Sequence, residues 1–310
     1  MDKIICVVGP TASGKTALAV ELAKATNGEV VSCDSMQIYR RLNIGTAKPT
    51  VEEMQGIVHH MIDICEPDED FSVGRYVELA TPIVEDILAR GKTAVIAGGT
   101  GLYVDNLIKG GEFAPTPSTG CREKLEERLK TEGLEVLMEE LRAIDPVSLE
   151  KSQNNPRRIV RALEVFQETG ETITAHNERT AAIPPRFDPI WIGIDFADRQ
   201  ELYDRIDLRV ELMVKEGLLE EIRQVLNSGI PERSTAMQAI GYKEFIDAMA
   251  GRSSIDEAIA QVQQSSRRYA KRQLTWFRRN ERIHWLRREK GQSAEEIFSQ
   301  AFAHVTKYDK

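Results

Sequence analysis

The sequence predicts an α/β fold: a parallel sheet core with an inserted all-helical domain and a helical C-terminal region. Three observations predict it. An apolar run, Ile4-Ile5-Cys6-Val7-Val8, passes directly into Gly9-Pro10-Thr11-Ala12-Ser13-Gly14-Lys15-Thr16, and this octet fits G-x-x-x-x-G-K-[ST] and opens onto a helical pattern. Further apolar runs alternate with amphipathic helical patterns, as a parallel sheet requires. Proline-rich breaks at Pro115, Pro117 and at Pro184, Pro185, Pro189 then bracket a stretch that carries helical patterns only.

The octet makes the core P-loop NTPase-like. Gly9 and Gly14 permit backbone angles that let successive amides turn inward around an anion. Lys15 adds a point charge, Thr16 offers a hydroxyl to Mg²⁺, and the helix that follows points its positive end at bound phosphate. That helix ends at Asn27-Gly28, and Glu29 to Cys33 reads as a buried strand that delivers Asp34 at its carboxyl end. Residues 35–70 are polar and weakly periodic. A helix resumes at Ser72 and stops at Gly91, and Thr93 to Ala97 forms another strand before Gly98-Gly99-Thr100-Gly101. The core is assigned to residues 1–114 and 187–310 and the insertion to residues 115–186, with helices at Arg122 to Thr131, Leu134 to Ile144 and Pro156 to Thr169. Ile190 to Ile194 returns as a strand. Helices are expected from Asp198 to Glu216, Leu218 to Asn227, Ala236 to Met249 and Ile255 to about Arg279, then a last strand at Ile283 to Leu286 and a final helix after the capping box at Ser293.

A net charge of −8 argues against a protein that coats nucleic acid indiscriminately, yet Ser265 to Lys290 carries ten Lys or Arg against two Glu. Cys6, Cys33, Cys65 and Cys121 lack any C-x-x-C pair and read as buried reduced thiols rather than disulfides or a zinc site. No signal peptide and no apolar run of about 18 residues is seen, so a cytoplasmic protein with no membrane partner is expected.

Asp34 is the first candidate for chemistry: beside bound phosphate, its carboxylate can hold Mg²⁺ through water or accept a proton, although Asp-Ser is also a common turn pair. Thr100 sits in a Gly-rich turn that can serve a ligand or only close packing. His59 and His60 lack a third ligand and read as solvated or structural. Arg157, Arg158 and Arg161 share an arc of one helix with Ile159 and other apolar residues opposite. Arg268, Arg272, Thr275 and Arg279 share a face of the long C-terminal helix, flanked by Lys271 and Arg278 and interleaved with Trp276 and Phe277, a strip suited to phosphodiester binding. Arg205 and Arg209, four apart, can clamp a leaving phosphate or pair with Asp204 or Asp207.

The phosphate loop, Asp34-Ser35-Met36-Gln37-Ile38-Tyr39-Arg40, Gly45-Thr46-Ala47-Lys48-Pro49, Gly98 to Tyr103, Gln238-Ala239-Ile240-Gly241-Tyr242-Lys243 and Arg268 to Arg278 together resemble the bacterial tRNA dimethylallyltransferase family, in order and over nearly the whole chain. The resemblance implies transfer of a dimethylallyl group from dimethylallyl diphosphate to N6 of adenosine 37, beside the tRNA anticodon, with release of pyrophosphate and with Mg²⁺. It implies that Asp34 is the general base, that Ser35, Met36 and Gln37 contact the adenosine, and that Gly9 to Thr16 bind the diphosphate, assisted catalytically by Thr16 and by Arg205 or Arg209. It further implies tRNA contacts at Thr100, Arg122, Arg157, Arg158, Ile159, Val160, Arg161, Gln238, Gly241, Tyr242, Lys243, Lys271, Arg272, Gln273, Thr275, Trp276 and Arg278. A monomer is expected. Two other classes fit parts of the chain: a P-loop kinase of a small metabolite, which leaves the basic segments idle, and a non-catalytic RNA-binding protein gated by a nucleotide.

Overall fold

The computed structural model describes residues 4–110, 113 and 119–309. The first part of the core runs β1 (Ile4–Val8), α1 (Lys15–Ala25), β2 (Gly28–Ser32), α2 (Val51–Met54), β3 (His59–His60), α3 (Val73–Ala89), β4 (Thr93–Gly98) and α4 (Gly101–Lys109). The helical stretch supplies α5 (Cys121–Thr131), α6 (Leu134–Ile144), α7 (Pro146–Ser152), α8 (Pro156–Thr169) and α9 (Ile173–Ala181). The core then continues with β5 (Ile190–Phe196), α10 (Arg199–Lys215), α11 (Leu218–Asn227), α12 (Lys243–Met249), α13 (Ile255–Phe277), β6 (His284–Arg288) and α14 (Ala294–Val305).

Six strands form one sheet in the order β3-β2-β4-β1-β5-β6, and every pairing is parallel. β1 is central and all five of its side chains are buried, which is why it reads as an unbroken apolar run. Parallel strands put all their carboxyl ends on one edge, so the phosphate loop after β1, Asp34 after β2 and the Gly-rich turn after β4 emerge together. Contacts within the chain divide it into two compact units, Met1–Ile108 with Phe187–Lys310, and Lys109–Arg186. The proline-rich break expected at Pro115 and Pro117 lies outside the described residues. In the second unit, Leu125, Leu137, Leu141, Ile159 and Leu163 make a core of their own.

Several elements differ from expectation. The helix expected over Ala236–Met249 forms only from Lys243, because Gly241 adopts a left-handed φ of 94° that no α-helix accommodates. The polar stretch before Asp70 hides α2, set by a Thr50–Glu53 capping box, and the two-residue β3. His59 and His60 are therefore structural: they form β3, and His60 Nε2 lies 2.8 Å from the buried Glu29. Two further short helices, α7 and α9, are N-capped by Asp145 and Thr172, whose side chains accept from Ser148 N and Ala175 N. Cys6, Cys33 and Cys65 are buried, whereas Cys121 is half-exposed. No helix among the described residues is long and apolar enough to cross a membrane.

Candidate active site

Gly9, Ala12 and Gly14 alternate into positive φ, at 150°, 61° and 91°, which curls the loop into a concave row of amides. A Cβ at Gly9 would stand 2.7 Å from the Ile194 carbonyl oxygen, so only glycine lets the loop leave β1 beside β5. Lys15 Nζ donates to Pro10 O at 2.6 Å, closing the loop across its mouth. Burial lowers the Lys15 pKa to about 8; Asp34 opposes that shift and Arg209 adds to it. The loop is also held from outside. Gln273, buried on α13, accepts from Thr11 N at 2.8 Å and donates to Gly99 O at 3.0 Å.

Asp34 takes the turn role that its pairing with Ser35 suggests, and it also lines the hollow beside the phosphate loop. Its Oδ1 caps the following turn by accepting from Met36 N at 2.9 Å, while Oδ2 makes no hydrogen bond among the described residues. Thr100 Oγ1 accepts from Ser35 N at 3.1 Å, so the Gly-rich turn after β4 braces the turn after β2. Gln37 is committed to the backbone as well: Ser32 Oγ donates to its Oε1, and its Nε2 donates to Ala47 O at 3.1 Å. Those bonds hold in place the amide that the resemblance puts at the adenosine.

These elements line three neighbouring hollows. The innermost, about 90 Å³, is lined by Thr11, Lys15, Thr16, Asp34, Gln37, Arg209, Tyr269 and Gln273, so the loop cation and the candidate base face one small polar space. Thr11, Asp34, Thr46, Arg209 and Tyr269 also line a second cavity of about 310 Å³, whose remaining wall is largely apolar and whose rim includes Gln238 and Arg272. A third, about 580 Å³, lies over Ala12 to Ala17 on the outer side of the loop. The innermost hollow is thus cationic and polar, of a kind suited to a hard anion, and the cavity beside it is largely apolar.

The structure separates the two arginines that spacing could not. Arg205 donates through Nε to Ala12 O at 3.0 Å and lies over the Phe196 ring, lining the outer hollow alone. Arg209 reaches Thr11 Oγ1 at 3.4 Å and lines all three. Its pKa is lowered by burial, with Asp34 opposing, which marks a cation short of a full partner. Neither pairs with Asp204 or Asp207; Asp207 takes Arg267 instead.

Of the basic strip on α13, Arg268, Lys271 and Arg272 are exposed and make no ion pair among the described residues. Arg278 is held by Asp195 at 2.6 Å, Thr275 Oγ1 donates to Lys271 O, and Trp276 Nε1 donates to Asp105 at 2.9 Å while Arg279 stacks on its ring. Gln273 faces inward, as above, and Tyr242 is buried with its hydroxyl on Glu221 at 2.7 Å, so these two support the cavity instead of meeting a partner at the surface. Gly241 lines the apolar cavity beside Tyr242, whereas Lys243 is exposed with Glu244 3.9 Å away. In the second unit Arg157 and Arg158 are exposed, but Arg161 pairs with Glu164 at 2.8 Å and Arg122 with Glu126 at 3.1 Å. Ile159 and Val160 are buried in that unit's core, which rules their side chains out as surface contacts.

Two participants went unrecognised in the sequence. Tyr269 lines both inner cavities, and burial, reinforced by Asp34, pushes its hydroxyl up to about 12. Glu221 accepts from Asn43 N and Ile44 N at 2.8 Å, from Gly45 N at 3.2 Å and from Tyr242, gripping the loop that walls the cavities. Tyr269 stood inside a recognised motif, whereas Glu221 carries no local signal.

Sheet order and phosphate loop make this a P-loop protein, one whose loop lysine lines a small polar hollow beside a second, largely apolar cavity. A family model described as IPP transferase matches residues 37–280, and one described as isopentenyl transferase matches residues 2–66. The chain belongs to the IPP transferase family. It is 46% identical over 299 residues to a tRNA dimethylallyltransferase of Acetivibrio thermocellus, covering 96% of this chain and 95% of that relative. It is 47% identical over 287 residues to a tRNA dimethylallyltransferase of a Thermoanaerobacter species, covering 92% and 91%. Among solved structures, the full-length tRNA isopentenylpyrophosphate transferase of Bacillus halodurans superposes with a TM-score of 0.74 at 39% identity, over 100% of this chain and 98% of that one. A eukaryotic dimethylallyltransferase described as acting on tRNA superposes with a TM-score of 0.81 at 27% identity, over 99% of this chain and 80% of its own.

Proposed function

We propose that the protein transfers the dimethylallyl group of dimethylallyl diphosphate to N6 of adenosine 37 in tRNA and releases pyrophosphate. One observation carries this reading: Lys15 and Thr16 share a small polar hollow with Asp34, and that hollow shares Asp34, Arg209 and Tyr269 with a largely apolar cavity that Gln238 and Arg272 also line. A small-metabolite kinase would leave the exposed Arg268, Lys271 and Arg272 without a role.

The chemistry follows from these groups. The N6 amine is a weak nucleophile because its lone pair is delocalised into the ring, so the reaction needs a good leaving group and a base. The C1–O bond of the donor breaks as the C1–N6 bond forms, and Asp34 takes the N6 proton once the base lies within about 3 Å. Loop amides, Lys15 and Arg209 face the oxygens on which negative charge grows, and so stabilise the transition state more than the bound donor. Arg205 sustains this by fixing Ala12. A base in a folded loop must leave its stack at a cost of a few kcal/mol, roughly, which phosphate contacts from Arg268, Lys271 and Arg272 offset.

Hard oxygen donors on Thr16 and Asp34 line the same hollow and suit Mg²⁺, which usually keeps several waters and binds through few protein groups. Thr16 would hold the ion with the donor's phosphate oxygens, Asp34 through water, and the ion would neutralise charge on the pyrophosphate. The test is mass analysis of an anticodon stem-loop RNA after incubation with dimethylallyl diphosphate and Mg²⁺. A single five-carbon addition at the adenosine 3′ of the anticodon is expected, and unmodified RNA would overturn the proposal.

A further inference from the structure

The hollow over Lys15 and Thr16, about 90 Å³ and lined by charged and polar groups, suits phosphate, while hydrocarbon there would strip water from those groups without replacing it. Past Asp34, the 310 Å³ cavity has an apolar corner made by Ile206, Val210, Met213, Ile240 and Val262. That volume is at the lower end for ligand sites, which begin at roughly 300 Å³, so a swung-out base and a five-carbon tail together fill it. The 580 Å³ hollow on the outer side of the loop adds Ile44, Leu208 and Leu212 to the available apolar surface.

Among the described residues, Arg209 and Met213 are the two that line both of these larger spaces. They stand one turn apart on α10. Arg209 is bound to the loop through Thr11, which leaves the Met213 side chain as the apolar part of the partition. Met213 is partly buried, packed at the edge of the apolar cluster that includes Val210 and Val262.

We infer that Met213 sets the length of isoprenoid chain the donor site accepts, a specificity that rests on the transfer reaction proposed above. With Met213 in place, the apolar corner ends at its side chain, which a chain longer than five carbons meets. Shortening the residue joins the apolar corner to the outer hollow, where each added carbon is removed from water. The bonding changes stay the same for a longer donor: C1–O breaks, C1–N6 forms, the N6 proton passes to Asp34 and pyrophosphate leaves.

The experiment gives full-length wild type, Met213→Ala and Met213→Phe an equal mixture of five-carbon and ten-carbon allylic diphosphates, with Mg²⁺ and an anticodon stem-loop RNA. Product masses report the ratio. Met213→Ala is expected to raise the ten-carbon share at least about tenfold, a modest discrimination for several methylenes. Met213→Phe is expected to raise KM for the five-carbon donor several-fold, while inhibition by pyrophosphate stays near the wild-type value in both, because the anion site is intact. The inference is overturned if the Met213→Ala ratio stays near that of wild type while five-carbon transfer persists, if both donors slow in parallel, or if Met213→Phe leaves KM unchanged. A wild type that transfers neither donor refutes the transfer reaction itself and this inference with it.

Discussion

In the ligand-free protein Lys15 gives up its proton near pH 8 instead of at its ordinary 10.5, because burial removes the water that would stabilise the ammonium and Pro10 O only partly replaces it. The difference corresponds to roughly 3 kcal/mol. A bound diphosphate returns an opposite charge to the ammonium, so binding restores the proton wherever the free protein has lost it. At pH 9 roughly a tenth of the free protein is protonated at Lys15, and diphosphate affinity is therefore expected to fall roughly tenfold between pH 7 and 9, with nearly one proton taken up per ligand at the upper end. The ester's own last ionisation, near pH 6, lies outside this window. Titration calorimetry with an isoprenoid diphosphate in buffers of differing ionisation enthalpy reads that proton directly, and Lys15→Ala should abolish the uptake. For stability the sign is opposite: the unfolded chain keeps the proton longer, so between about pH 8 and 10.5 this group makes the ligand-free fold more stable as pH rises. No proton uptake at pH 9 would refute the claim that Lys15 is buried at the anion site.

Gln273→Ala removes the bonds to Thr11 N and Gly99 O and strands both groups, which should cost roughly 2–4 kcal/mol in urea denaturation and weaken diphosphate binding as well. A stability loss with unchanged diphosphate affinity would show that Thr11 keeps its place without the amide. Arg272→Ala deletes an exposed cation that stacks on Tyr269 at 5.4 Å and makes no ion pair among the described residues. RNA affinity should fall and the slope of log affinity against log salt should flatten by about one, measured by filter binding over a salt series.

Local grammar made the core legible. β1, the loop and α1 are contiguous, and the loop's alternating backbone angles follow from Gly9, Gly14 and the helix that starts at Lys15. Parallel strands brought Asp34 and Thr100 to the same edge without any need to know side-chain positions. What stayed hidden depended on residues distant in sequence. The resemblance places Gln273 and Gln37 at the RNA; the folded chain also uses both as internal braces, Gln273 to Thr11 across 262 residues. Arg205 and Arg209 are equivalent by spacing and differ only in what faces them, Ala12 O for one and all three hollows for the other. Ile159 and Val160 lay within a basic motif but point along the apolar side of α8. Gly241 broke a helix that composition alone would continue, and Glu221 gathers its donors from the Asn43 to Gly45 loop, where no periodicity could announce it.

The account depends most on Asp34 serving as the base beside the anion site. Single-turnover transfer by Asp34→Asn, measured with the donor affinity of the same preparation, tests this directly. Asparagine retains the turn cap through Oδ1 but cannot take the N6 proton, so the transfer rate should drop by roughly 10²–10⁴-fold while diphosphate binding stays near the wild-type value. A variant that transfers at a rate close to wild type would contradict the assignment.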